Sequence, residues 1–245
     1  MHRLYEQFAH RYDLHTPPTH YRHDQAFVLK LAKTLGRPCR LLDIGCGTGA
    51  LIQAALVEGI QASGIDAARG MVDVATSRLG PGRARQQRMQ DLDAVGEFDM
   101  VVGLAWVLNY CSGLDDMSAV LQRCARALRP GGIFLAQVAH ATNAMGALLE
   151  DREPGPDGTP DDVSLFYRFT SGRGSPPVLN ADYVYACRSR NELTFETHTL
   201  QVADALLVAR LAEATGFVEV RVLDSFRGDP LTSSVSPWLM AKSRA

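Results

Sequence analysis

The chain has 245 residues, 46% hydrophobic and 21% charged, with a formal net charge of −2, a length and balance that suit one globular α/β domain with room for an insertion. Charge so close to neutrality provides no overall basic field to steer the protein toward a polyanion, so nucleic acid is not the expected partner. No apolar run reaches the roughly 20 residues of a membrane-spanning helix, and the first residues lack the apolar core of a signal peptide, so the expectation is a cytoplasmic protein away from membranes. Five scattered cysteines, none in C-x-x-C spacing, point to reduced thiols rather than disulfides.

Leu4, Tyr5, Phe8, Ala9 and Tyr12 form a helical apolar stripe within residues 1–21, before His15, a Pro17-Pro18 break and His20-Tyr21-Arg22-His23. A helix is predicted over 22–35, stopped by Gly36 and Pro38. Next comes Leu41-Leu42-Asp43-Ile44-Gly45-Cys46-Gly47-Thr48-Gly49-Ala50, read as a strand buried on both faces, a glycine turn and a helix from Thr48 to about Glu58. Glycines at alternate positions permit a tight turn and close approach of a ligand. The free N–H groups and positive end of the helix face whatever occupies that turn. Gly45, Gly47 and Ala50 satisfy the G-x-G-x-x-G/A pattern of dinucleotide sites. Asp43, however, would repel a pyrophosphate and suits an ammonium group.

Strand two, 61–66, ends in Asp66, about where the ribose-binding acid of doubly wound folds sits; helix capping is the structural alternative. Strand three is predicted at 83–89, before Gln90-Asp91-Leu92-Asp93. Strand four, 98–104, leads into Ala105-Trp106-Val107-Leu108-Asn109-Tyr110, facing the crevice outside the strand ends. Met117, Val120, Leu121, Cys124, Ala125 and Leu128 mark an amphipathic helix with Cys124 in the core. Leu128-Arg129-Pro130-Gly131-Gly132 then precedes strand five, 133–138. From His140 to about Leu200 the doubly wound rhythm stops: 150–162 reads as an exposed loop, and 164–170, 181–188 and 192–200 as antiparallel strands. Ala203, Leu207, Leu211 and Ala214 give a helix ended by Gly216, followed by strand six at 217–226 and strand seven at 237–243.

Asp43-Ile44-Gly45-Cys46-Gly47-Thr48-Gly49 resembles the D-x-G-x-G-x-G signature of class I S-adenosylmethionine-dependent methyltransferases. The L-x-P-G-G turn before strand five and the terminal hairpin resemble the same family and not the dinucleotide dehydrogenases. The resemblance covers residues 40–138; the remainder agrees in layout. It implies an α/β fold with a Rossmann-like doubly wound, mostly parallel seven-stranded sheet, a C-terminal antiparallel hairpin and an inserted antiparallel β layer, in a single domain over 1–245. Residues 1–36 then form a helical lid over the cofactor, or a helix that merely packs on the domain. The insertion 139–200 covers substrate or makes a dimer surface; it resembles the substrate-covering sheets of small-molecule N-methyltransferases acting on amino sugars. The implied cofactor is S-adenosyl-L-methionine. Tyr12, Asp43, Gly45, Cys46, Gly47, Gly49, Asp66, Ala67, Met71, Asp91, Leu92 and Leu104 are the residues expected to hold it. In that set Asp43 lies near the methionine ammonium or the glycine-loop backbone, and Asp66 on the ribose hydroxyls. Met71 covers the adenine or is a core methionine. Asp91 (or Asp93) accepts from the adenine amino group, and the Leu92 N–H donates to the ring.

A methyl group on a sulfonium has a good leaving group, so alignment and exclusion of water carry much of the catalysis. An amine acceptor need only arrive unprotonated, whereas a hydroxyl needs a base or a metal. His140, just beyond strand five, is the candidate base, ahead of His20, His23 and His198, although a lone histidine is more often merely solvated. Tyr21, Asn109, Tyr110 and Asn143 are expected at the substrate, while Tyr183 and Tyr185 either line the pocket or pack within a sheet. No carboxylate cluster for a metal is evident near strands four and five. The expected activity is methyl transfer to a nitrogen or oxygen of a small metabolite. An excess of Arg over Lys and abundant Ala are associated with bacterial origin, and a secondary pathway is expected. A nucleic-acid (RNA) methyltransferase would want a basic run, an N/D-P-P-Y motif or a Pro-Cys pair after strand four. A NAD-dependent dehydrogenase would want the turn without Asp43. A cofactor-binding module without catalysis would look identical in sequence, and the chain is a monomer or a homodimer.

Overall fold

The computed structural model describes residues 2–36, 38–141, 148–151, 163–189 and 191–244. Asn143 and most of the 150–162 stretch lie outside them. The elements in chain order are α1 (Tyr12–His15), α2 (Arg22–Thr34), β1 (Arg40–Ile44), α3 (Ala50–Val57), β2 (Gln61–Asp66), α4 (Arg69–Leu79), β3 (Ala84–Gln86) and β4 (Phe98–Gly103). There follow α5 (Leu114–Ala127), β5 (Leu128–Gln137), β6 (Leu148–Asp151), β7 (Val163–Gly172), β8 (Val178–Cys187), β9 (Glu192–Leu200), α6 (Ala205–Ala214), β10 (Val218–Leu223) and β11 (Trp238–Lys242).

A seven-stranded sheet runs in the order β10-β11-β5-β4-β1-β2-β3. Its strands are parallel from β5 to β3, and β11 lies antiparallel between β5 and β10. The chain winds outward from β1 in one direction and from β4 in the other. The boundary between β1 and β4 is therefore the switch point, where a crevice opens beyond the strand ends. Side chains of β1 and β4 alternate between two cores, as a central strand requires. Leu42, Ile44 and Val101 pack under α5 and α6, while Leu41, Met100 and Val102 pack under α2 and α3. Met117, Val120, Leu121 and Cys124 of α5 are fully buried in the first core; each Val or Leu buried this way contributes about 1.5–3 kcal/mol.

Several boundaries differ from the sequence expectation. β3 is only three residues long. β5 begins already at Leu128, with a register break between the Phe98 and Met100 pairings that accommodates Pro130-Gly131-Gly132. The inserted layer is a four-stranded antiparallel sheet, β6-β7-β8-β9, rather than three strands. The amino-terminal stripe is not one helix. It breaks into 3-10 turns at Ala9–Arg11 and Pro18–Tyr21 around the short α1, because its apolar residues serve two surfaces. Leu4 and Phe8 pack against Leu165 and Tyr185 of the inserted sheet, with Phe8 stacked 4.2 Å from Tyr185. Ala9 packs against Ala68 and Met71 at the start of α4.

Candidate active site

The end of β1, the glycine turn and the end of β2 form one wall of a cavity of about 320 Å³. Gly45, Gly47 and Gly49 have φ of 71°, 52° and 82°, the left-handed region in which a side chain is strained. A Cβ on Gly45 would also lie 2.3 Å from Val107 Cγ2. The turn is tied to β2: the N–H groups of Gly45 and Cys46 donate to the Ile65 carbonyl at 2.7 and 3.0 Å. Asp66 completes this fastening by accepting from the Gly47 and Ala68 N–H groups, each at 2.9 Å. It thus joins the glycine turn to the start of α4 while still facing the cavity.

Asp43 also lines this cavity although only 3% of its surface is exposed. Among the described residues no hydrogen bond or ion pair meets its carboxylate. Burial, reinforced by the neighbouring Asp66 charge, raises its pKa well above the ordinary carboxylate range. A buried carboxylate with no partner among the described residues, beside a turn of alternating glycines, offers a recess suited to a cation. These residues would suit a ligand that presents an ammonium group, such as the amino-acid end of S-adenosylmethionine.

Tyr12, Cys46, Ala67, Met71 and Leu104 border the same cavity, together with Tyr21 and Tyr110. Other expected residues are placed elsewhere. Gly49 is the amino-terminal cap residue of α3, and a Cβ there would meet Leu79 at 2.7 Å, so its constraint is packing against α4. Asp91 is exposed, and Leu92 has its side chain in the core while its N–H donates to the Met89 carbonyl at 3.3 Å. The 3-10 turn Met89–Asp91 presents Gln87, Arg88, Met89 and Gln90 to the cavity instead. Asn109 is fully buried as a brace: its amide nitrogen donates to the Gln201 and Val202 carbonyls, and its oxygen accepts from the Ala139 N–H. His140 reaches neither this cavity nor the one described next. Its Nδ1 accepts from the Ala205 N–H at 3.2 Å, so it satisfies the first turn of α6.

A second chamber, of about 360 Å³, shares Tyr5, Tyr12, Tyr21, Ala105 and Tyr110 with the first. Its remaining walls include His15, Asp24, Trp106 and Gln137, with Tyr167, Phe169 and Tyr183 of the inserted sheet. Tyr167 pairs directly opposite Tyr183 across β7 and β8, so the alternation of those strands puts their rings on the chamber side. Burial lowers the pKa of His15 to about 4. Its Nδ1 meets the Thr16 hydroxyl at 2.7 Å, and among the described residues its buried Nε2 has no hydrogen-bond partner. Tyr5, His15, Asp24, Gln137 and Tyr167 carry no sequence motif that marks them as site residues, yet all line this chamber. The aromatic spacing in β7 and β8 is the signal that leads to Tyr167.

The amino-terminal segment roofs both chambers and is fastened on both sides. The Glu6 carboxylate accepts from the N–H groups of Arg69 and Gly70 at 3.2 and 2.9 Å, capping α4 from outside the helix. Asp13 accepts from the Thr48 hydroxyl at 2.8 Å and pairs with Arg78. On the other side Arg3 pairs with Glu192 at 2.7 Å, and its backbone N–H donates to Glu196.

The sheet order and the glycine turn agree with a Rossmann-like methyltransferase fold. Residues 41–132 match the family described as a methyltransferase domain. The chain is 31% identical over 183 residues to a malonyl-(acyl-carrier protein) O-methyltransferase of Serratia marcescens, covering 72% of this chain and 63% of that protein. It is 30% identical over 107 residues to a dTDP-4-amino-2,3,4,6-tetradeoxy-D-glucose N,N-dimethyltransferase of Saccharopolyspora spinosa, covering 43% of each. The chain thus spans less than two thirds of the length of these relatives. The fold is similar to that of an S-adenosylmethionine-dependent methyltransferase from Clostridium acetobutylicum, with a TM-score of 0.78 at 15% identity over 98% of both chains.

Proposed function

We propose that the protein transfers a methyl group from S-adenosylmethionine to a nitrogen or oxygen of a small metabolite, in a bacterial secondary pathway. The observation that carries this reading is Asp43, buried, without a partner among the described residues and facing a cavity that adjoins an aromatic chamber. When bound, the cofactor supplies an electrophilic methyl group on a sulfonium. The chain's own contribution is positional. Asp43 and the glycine turn fix the amino-acid end, Asp66 and the wall around Met71 take the nucleoside end, and the shared tyrosine wall sets where an acceptor meets it. The lid and the inserted sheet keep water from that meeting point.

A nitrogen acceptor is favoured. Tyr12, Tyr21, Trp106, Tyr167, Phe169 and Tyr183 offer ring faces that suit a cationic or sugar-like amine, and Asp24 adds a carboxylate. The named activity of the Saccharopolyspora relative, on an amino sugar, supports the same choice. Calorimetric titration with S-adenosylhomocysteine, with NADH as the comparison ligand, tests the cofactor. Micromolar binding of the first alone is expected; binding of NADH alone would return Gly45, Gly47 and Ala50 to a dinucleotide turn.

A further inference from the structure

A run of hydrogen bonds leads from the wall shared by the two chambers to a carboxylate in the inserted sheet. The Tyr5 and Tyr110 hydroxyls lie 2.9 Å apart, Tyr110 Oη lies 2.6 Å from His198 Nδ1, and His198 Nε2 lies 2.5 Å from Glu196 Oε1. The four residues come from three separate parts of the chain: the lid, the turn after β4 and strand β9. His198 is completely buried, whereas Tyr5 and Tyr110 both face the cofactor cavity and the acceptor chamber.

We infer that Tyr5, Tyr110, His198 and Glu196 form a proton relay that removes the proton an acceptor must lose when it is methylated. This rests on the methyl-transfer reading of the two chambers. In the ligand-free arrangement the Tyr5 hydroxyl donates to Tyr110, Tyr110 donates to His198 Nδ1, and His198 Nε2–H donates to Glu196. The oxygen of Tyr5 keeps a lone pair for the acceptor. As the acceptor's N–H or O–H proton passes to Tyr5, the Tyr5 proton moves to Tyr110 and the Tyr110 proton to His198 Nδ1. The electron pair left on the acceptor atom is the pair that takes the methyl group, and the positive charge comes to rest on an imidazolium facing the Glu196 carboxylate. Tyr5 is the catalytic residue, since it meets the acceptor; Tyr110 carries the proton onward, and His198 and Glu196 receive and stabilise it.

The groups facing His198 are His2, Tyr5, Tyr110, Tyr183 and Glu196. Burial lowers the pKa of His198 to about 4, with His2 adding to the effect and Glu196 opposing it. Its ring is therefore neutral near pH 7 in the ligand-free protein, and the Glu196 carboxylate at Nε2 is the group that would stabilise a proton arriving at Nδ1. Burial also raises the pKa of both Tyr5 and Tyr110, which keeps their hydroxyls protonated between turnovers.

His2, Glu196 and His198 also bring nitrogen and carboxylate atoms close enough to suggest a metal site. The His2 and His198 rings, however, lie 3.7 Å apart and only 32° from parallel. A shared ion could not then sit in the plane of both rings, as imidazole ligation requires, and a hydrogen-bonded chain suits this geometry better.

The relay requires His198 to carry its proton on Nε2, and nitrogen-15 NMR of the imidazole resolves this in the full chain without any acceptor. The expected result is an Nε2–H tautomer at pH 7 whose Nδ1 resonance shifts in Tyr110→Phe, while Tyr5→Phe leaves the tautomer unchanged. An Nδ1–H tautomer would overturn the relay, because His198 would then donate to Tyr110 and have no site for the arriving proton. A direct shift of the Nε2 resonance on adding one equivalent of zinc chloride to chelator-treated protein would overturn it in favour of a metal site. Titration with S-adenosylhomocysteine separates this from the wider reading. Failure to bind would remove the methyltransferase proposal whatever the tautomer, whereas binding by a protein with the Nδ1–H tautomer removes the relay alone.

Discussion

Asp43 combines a cost to the ligand-free fold with a use at the site. Its folded-state pKa lies above the unfolded value. Its contribution to stability is therefore fully present below the unfolded pKa and is lost as pH rises through the folded one. Asp43→Asn should consequently raise the melting temperature of the ligand-free protein at pH 8, with the gain vanishing near pH 4, as thermal unfolding across pH would read. The same substitution should weaken S-adenosylhomocysteine binding, because the ammonium loses its counter-charge. In the wild type, binding should release protons where Asp43 is still protonated, visible as a dependence of the calorimetric heat on the buffer's ionisation enthalpy. Asp66 has two tasks. Asp66→Ala should reduce cofactor affinity by roughly 1–3 kcal/mol through loss of a hydrogen-bond acceptor, and should lower stability as well, since two backbone N–H groups lose their partner. A folded variant with unchanged affinity would dissociate Asp66 from the ribose.

At the scale of elements, local patterns carried much of the reading. The glycine turn, the α5 stripe and the L-x-P-G-G corner have short-range causes in backbone freedom and helical period, and the strands they imply are present. What could not be read depends on contacts between distant segments. Nothing near Glu6 in the chain indicates that its carboxylate caps α4, 63 and 64 residues away. His140 stands where a base could stand, but the Ala205 N–H, which only the folded chain brings near, claims its ring. The 3-10 turn Met89–Asp91 leaves Asp91 exposed and Gln90 at the cavity, a local geometry that composition does not encode. Two substitutions measure these contacts. Glu6→Ala should cost about 0.5–2 kcal/mol of stability, as the loss of a helix cap does. His140→Ala should lower the melting temperature without reducing the methyl-transfer rate at a temperature where the variant is folded; a large fall in rate there would restore His140 to the chemistry.

On the scale of the whole molecule, the mostly parallel sheet supplies the floor, and the amino-terminal segment and the inserted sheet supply the roof. No helix among the described residues is long and apolar enough to cross a membrane. The roof is held by ion pairs and caps at its margins, and by the stacked Phe8 and Tyr185 rings between them. Amide hydrogen exchange over residues 5–21 should slow on saturation with S-adenosylhomocysteine, while exchange in β1 and β4 stays unchanged.

Tyr5, Tyr12 and Tyr21 belong to the walls of both chambers, so whatever orders them for one occupant has already ordered them for the other. Two ligands bound there would then be thermodynamically coupled through that shared wall as well as by direct contact. The factor by which S-adenosylhomocysteine tightens the hold on an acceptor must equal the factor by which that acceptor tightens the hold on S-adenosylhomocysteine.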